Sequence, residues 1–238
     1  MHNILKIFRT DLRRIMNNVV AVVIIMGLSI LPALYAWFNI FSNWDPYEPA
    51  ATSQLKVAVA SDDVRGGYLV TQYLLELGHR RITGFFKADD IQGINRHKGY
   101  VKALQEAGIS YDPDAVVWFH TEDRKSKPAM MVREMVRSGN LPDGIVCYND
   151  QIAVQVIETL EACGLKVPED ISVTGYDNSL YAQRGTGITT IAHPQEKLGE
   201  MAAELILEKI AGVPEEDSKV ERMIQPELII RGSCRKYD

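Results

Sequence analysis

The sequence predicts an α/β protein in which parallel sheets are flanked by helices, preceded by one membrane-spanning helix. Three observations predict it. From Asp63 onward, short apolar runs are separated by amphipathic stretches, the pattern of a parallel sheet covered by helices. Glycines stand where the amphipathic stretches stop, the position at which a left-handed residue closes a helix. Ahead of this region, Val19 to Phe38 run without a single charge.

That first run comes first in chain order. At about 1.5 Å of rise per residue, a helix of this length crosses the roughly 30 Å hydrocarbon core of a bilayer. The span is placed at about residues 15–38, within an anchor at 1–42. Gly27 and Pro32 are tolerated in bilayer helices. Lys6, Arg9, Arg13 and Arg14 precede it and Asp45 and Glu48 follow, so the N-terminus is expected inside and the rest of the chain outside. Trp37, Trp44 and Tyr47 cluster at the outer end, where amphipathic rings sit at the headgroup level. The run exceeds a usual signal-peptide core, and no small-x-small cleavage site follows it closely. A linker at 43–54, with Pro46 and Pro49, separates it from the first strand, KVAVA.

The remaining elements alternate. A helix over Gly67–Leu77 is stopped by Gly78, and a strand over Ile82–Lys87 follows. A helix over Asn95–Ala107 ends at Gly108, before a strand over Ala115–Phe119. A helix over Pro128–Ser138 ends at Gly139, before a strand over Gly144–Tyr148. A helix over Gln151–Cys163, a strand over Ile171–Tyr176 and a helix over Gln195–Ala211 complete the alternation. An extended pair occupies Glu221–Ser233.

Composition excludes several classes. A net charge of -5 opposes an extended basic surface able to neutralise several phosphates, so no direct nucleic-acid binding is expected. The three cysteines, Cys147, Cys163 and Cys234, are far apart without metal-ligand spacing, and they read as reduced thiols packed like small hydrophobes. No metal site and no cofactor is expected. There is no GxSxG, HExxH or GxxxxGK[ST], and the neighbouring pairs Asp62/Asp63 and Asp89/Asp90 read as turn or capping residues, so no catalytic residue is assigned.

Ligands of open parallel sheets lie outside the carboxyl ends of the strands. Here those ends carry Asp89 and Asp90, His120, Asn149 and Asp150, and Asp177 and Asn178. Planar acceptors with an Arg fork and a nearby ring suit a neutral polyhydroxylated molecule. Such residues also serve as helix N-caps, and Asp150 in particular is read as a cap.

Two resemblances sharpen the picture. NILKIFRTDLRRI, LPALYAWFNI, NWDPY and LKVAVAS resemble the N-terminus of the phage infection protein (Pip) family of bacterial membrane proteins, covering only its first span. DDVRGGYLVTQYLLELGHRRI, CYNDQIAVQVIETLEACGLKVPEDISVTGYDNS and ITTIAHPQEKLGEMAAELI resemble the sensor domain of the lactose and galactose repressor family. FKADDIQGINRHKGY and PELIIRGSCRK are most similar to its arabinose repressor branch. The second resemblance implies a periplasmic-binding-protein-like sensor of two subdomains, with a sugar closing the cleft between them, and a homodimer.

By that resemblance Arg96 grips ligand hydroxyls, Asn149 is the Asn of the ND motif, Asp177 accepts from ligand hydroxyls, and His193 is a polar contact after the TTI strand. Lys87 and His120 join them as strand-end residues on the same rim. His79 is a structural helix-end residue. The family's DNA-binding domain and the first elements of its N-terminal subdomain have no counterpart. A partial N-terminal subdomain is therefore expected at 55–110 and a whole C-terminal one at 111–238. The remaining N-terminal strands are expected to expose an unpaired edge and an uncovered apolar face, making that region the unstable part.

Three functions follow. The first is the effector-binding domain of a repressor, taking an arabinose-like sugar and carried on a membrane anchor. The second is a membrane-tethered extracytoplasmic protein of the Pip type. The third is a chimeric, non-functional fusion joined near VASDD.

Overall fold

The computed structural model describes residues 57–183, 185, 187–210 and 220–237. The predicted span at 15–38 and the linker at 43–54 lie outside the described residues. Among the described residues no helix is long and apolar enough to cross a membrane.

The chain alternates β1 (Val57–Ser61), α1 (Asp63–Glu76), β2 (Ile82–Lys87), α2 (Ile91–Glu106), β3 (Val116–Phe119), α3 (Lys127–Ser138), β4 (Gly144–Cys147), α4 (Asp150–Ala162), β5 (Ser172–Thr174), β6 (Thr190–Ala192), α5 (Gln195–Ile210), β7 (Val220–Ile224) and β8 (Glu227–Ile229). Four strands form a parallel sheet in the order β3-β2-β4-β5. Each successive pair is joined through a helix, the connection that parallel strands require. Parallel bridges from Thr174 to Thr189 and from Asp177 to Ala192 carry β6 alongside β5, and β8 pairs antiparallel with β6.

Alternation along the strands builds two cores. Phe85, Val117, Ile145 and Cys147 pack against Val132 of α3 and Val156 and Leu160 of α4. Their neighbours Phe86, Val116 and Val146 pack against Val70 and Leu74 of α1 and Tyr100 and Leu104 of α2. Successive strand residues point to opposite faces, so a central strand reads as a continuous apolar run.

The expected division at residue 110 runs through this continuous sheet. β2 bonds to β3 on one side and to β4 on the other, and α1 and α2 cover one of its faces. The apolar sides of residues 63–110 find their partners in strands of the later half, which is why no break falls there. The elements outside that sheet are β1 and β7, which pair parallel with each other, and α5, which packs on both.

Three smaller differences have local causes. Helices α1 and α2 begin four residues before the predicted starts, because Asp62 accepts from Arg65 N–H and Asp90 from Gly93 N–H. An Asx cap sets the start whether or not the apolar period has begun. The predicted extended pair does not pair with itself: β7 joins β1 and β8 joins β6. Cys163 is exposed rather than packed, while Cys147 is buried.

Candidate functional site

The carboxyl ends of β2, β4, β5 and β6 deliver one connected set of polar groups. Arg96, on α2, is at its centre and is 2 % exposed. Its Nε donates to Asp63 Oδ1 at 2.9 Å, and its Nη1 donates to the Tyr148 carbonyl at 2.7 Å. Nη2 lies 3.5 Å from Asp177 Oδ1. The guanidinium stacks 3.6 Å over the Tyr176 ring and 4.8 Å from that of Tyr148. Burial works against the Arg96 charge, but Asp177 and Asp63 more than offset it and raise its pKa. The site therefore keeps a fixed cation with its flat faces covered by rings.

His193 Nε2 sits 3.2 Å from the same Asp177 Oδ1 that faces Arg96. Arg96 and His193 thus converge on the Asp177 carboxylate, which is 35 % exposed. Lys87 joins at one remove. Its Nζ lies 3.0 Å from Asp90 Oδ2, which also accepts from the Tyr148 hydroxyl at 2.7 Å. Burial raises the Asp90 carboxyl, yet the bonds from Gly93, Tyr148 and Lys87 leave it below its ordinary value. Asp89, hydrogen-bonded by the Thr121 hydroxyl and backbone, is lowered to about 2.

Two of the predicted residues stand apart. Asn149 is next to Tyr148, but its side chain accepts from Ile152 N–H at 3.1 Å and caps α4. His120 is exposed, its N–H donating to Asp123, and its side chain joins none of these contacts. The capping role expected of Asp150 falls to Asn149. Asn149 is the cap, and Asp150 is fully buried with its carboxylate turned toward Thr190 and Ser179. Burial pushes the Asp150 carboxyl up, while those hydrogen bonds pull it part of the way back.

Asp63, Tyr148 and Tyr176 join this cluster without having been singled out from the sequence. The pairs Asp62/Asp63 and Asp89/Asp90 read as turn or capping residues, and Asp62 and Asp90 do cap, while Asp63 is released to Arg96. The signal was the offset: a cap at Asp62 places the next residue inside the helix, facing α2.

A hollow of about 650 Å³ opens beside this cluster, bounded by Asp63, His193, Ser61, Gln92, Asn95 and Gln195. His193 lines it directly, with Arg96 and Asp177 one contact behind. A second hollow of about 420 Å³ lies where β2 begins, beside Arg81 and Glu134, and none of the six predicted residues borders it.

Residues 71–234, more than half of the sequence, match the family model described as a periplasmic binding protein-like domain. The chain belongs to that family. It is 36% identical over 201 residues to the arabinose metabolism transcriptional repressor of Geobacillus stearothermophilus, covering 80% of this chain and 54% of the relative. It is 38% identical over 177 residues to the repressor of the same name from Halalkalibacterium halodurans, covering 72% and 47%. The chain thus spans about half the length of the curated relatives it matches. Among solved structures, it resembles the transcriptional regulator CelR in complex with cellobiose, with a TM-score of 0.67 and 30% identity over 76% of this chain and 54% of that one. A LacI family regulator from Enterococcus faecium with bound ribose gives 0.64 and 31%, over 76% and 66%. The resemblance to the sensor domains of this repressor family, and to the arabinose repressors within it, therefore holds.

Proposed function

We propose that residues 57–238 bind a neutral sugar as the effector-binding part of a repressor of the lactose and galactose type. The carrying observation is the convergence of Arg96 and His193 on the partly exposed Asp177 carboxylate beside a hollow of ligand size. Fixed acceptors match vicinal hydroxyls, the buried Arg96 fork holds Asp63 and Asp177 in place, and the half-buried Tyr148 ring adds an apolar surface nearby. Asp63, Asp89, Asp90 and Asp177 outnumber Arg96 and Lys87, so an anionic ligand such as a sugar acid meets net repulsion. The relatives named as arabinose repressors support L-arabinose as the first ligand to try. A rise in melting temperature with millimolar L-arabinose or another pentose is expected. No shift with any pentose or hexose defeats the proposal.

A second reading concerns location and rests on the uncharged run at 19–38 with its preceding Lys and Arg residues. It places the sensor on the outer side of a membrane, tethered by residues 15–38. Cys163 is exposed and serves as the reporter. Labelling of intact cells by a thiol reagent that cannot cross membranes supports the outside location, and labelling only after lysis rejects it.

A further inference from the structure

We infer that Asp150 is the positioning residue of the site, holding the Asp177–Asn178 turn in the geometry that presents Asp177 to His193 and Arg96. Asn149 already caps α4, so the Asp150 carboxylate is free for another task. It is completely buried and aimed at the loop after β5. Oδ2 accepts from the Ser179 N–H at 2.7 Å and from the Ser179 hydroxyl at 3.0 Å. Oδ1 accepts from the Thr190 hydroxyl at 2.6 Å, and that hydroxyl in turn accepts from the Asn178 N–H at 3.3 Å. Both amides that follow Asp177 therefore lead to this one carboxylate.

The turn needs such a hold. Asp177 has φ 97° and Asn178 φ 49°, two successive non-glycine residues in the left-handed region. Such conformations persist only where the surroundings impose them. The chain also passes directly over the carboxylate: a Cβ at Gly175 would stand 2.3 Å from Asp150 Oδ1. Asp177 N–H donates to the Ile191 carbonyl and the Asn178 side chain accepts from Arg231, so the backbone is pinned on both sides. The Asp177 carboxylate is thereby presented to His193 and Arg96. Asp150 itself touches neither the hollow nor Arg96 and His193, and its effect on a ligand passes through Asp177.

The test uses the full chain. Thr190→Val keeps the β-branched shape and removes only the hydroxyl link, whereas Thr190→Ser keeps the link. Asp150→Asn removes the charge. The reference is Asp177→Asn, which should move the His193 imidazole NMR resonances. Asp150→Asn and Thr190→Val are expected to move them in the same direction, and Thr190→Ser to leave them in place. The inference fails if Thr190→Val and Asp150→Asn leave His193 at its wild-type resonances, or if Asp177→Asn does not move them. Should Asp150→Asn fail to fold, the Thr190 pair decides alone. A second arm rests on the sugar-binding proposal: L-arabinose affinity should weaken about 10-fold to 100-fold in Thr190→Val, the loss that outer partners of ligating groups cause. If wild type binds no sugar, that proposal falls and the resonance arm still judges Asp150.

Discussion

At the scale of single residues, Arg96 carries most of the risk. It is 2 % exposed and faces Asp63, whose side chain is 12 % exposed, at 2.9 Å. Removing one partner of a buried ion pair leaves the other charge uncompensated, at a cost of about 3–5 kcal/mol. Arg96→Leu should lower the unfolding free energy from chemical denaturation by an amount in that range and abolish any response to sugar. A loss below about 1 kcal/mol would mean that solvent reaches Asp63 and that the pair behaves as a surface one. Asp143 gives the second prediction at this scale. Burial pulls its carboxyl up, but the His79 ring 3.5 Å away and hydrogen bonds from the backbone N–H groups of Arg81 and Arg80 outweigh that and leave it below the ordinary value. A folded pKa below the unfolded value of about 3.9 contributes stability that is present above it and lost as pH falls through the folded pKa. Asp143→Asn should therefore lower the melting temperature at neutral pH and flatten its fall below about pH 4, as measured by thermal scans from pH 7 to pH 3. An unchanged acid slope would assign that fall to other carboxylates. His79 was legible as a structural residue: its Nε2 lies 3.1 Å from the Arg235 carbonyl and its ring is 1 % exposed. Asp63 was legible only through the cap at Asp62 before it, because its partner is 33 residues away.

Among elements, α1 and α2 pack backbone against backbone, and glycines allow it. A Cβ on Gly99 would stand 2.0 Å from the Val64 carbonyl, and one on Gly67 would stand 2.1 Å from the Arg96 carbonyl. The two contacts are reciprocal, each helix offering a bare backbone to the other. In an exposed helix, Gly→Ala gains about 1 kcal/mol of helix propensity. Here the sign inverts, since the added methyl meets backbone that has no rotamer to yield. Gly99→Ala is expected to destabilise by about 1–3 kcal/mol and to displace Arg96, because the helix carrying Arg96 is the one pushed away. Chemical denaturation checks the first effect and ligand affinity the second. A stabilised Gly99→Ala would show that the helices separate at no cost. At this scale the sequence was read well. β2 matches its predicted range, and β3, β4, α3 and α4 differ from theirs by one residue at most of their ends. Apolar runs and glycine stops are local signals, and these elements depend on them. The starts of α1 and α2 depended instead on the side chains of Asp62 and Asp90, which an apolar period does not register.

For the whole molecule, the decisive contacts join residues far apart in sequence. Val57 pairs with Val220 and Thr190 with Ile229, so no window of sequence could assign β7 and β8 to different partners. For the same reason the division expected at residue 110 misses the real contrast in packing. The helices of residues 63–110 share their core with β4 through Val146, whereas among the described residues β1 pairs with β7 alone. Around that pair, Ile206 and Leu207 of α5 and Met223 of β7 are 49%, 65% and 55% exposed. Local opening costs least where buried apolar contacts are fewest and backbone bonds are open to water. Amide hydrogen exchange should therefore be fast in β1, α5 and β7 and slowest in β2 and β4, with α1 and α2 protected along with the sheet they cover. The line between fast and slow should fall at about Asp62 and again at about Pro194, rather than at residue 110. Uniform protection from β1 through β4 would refute this. So would fast exchange throughout α1 and α2, which would mean that the face they cover contributes little to holding the sheet together.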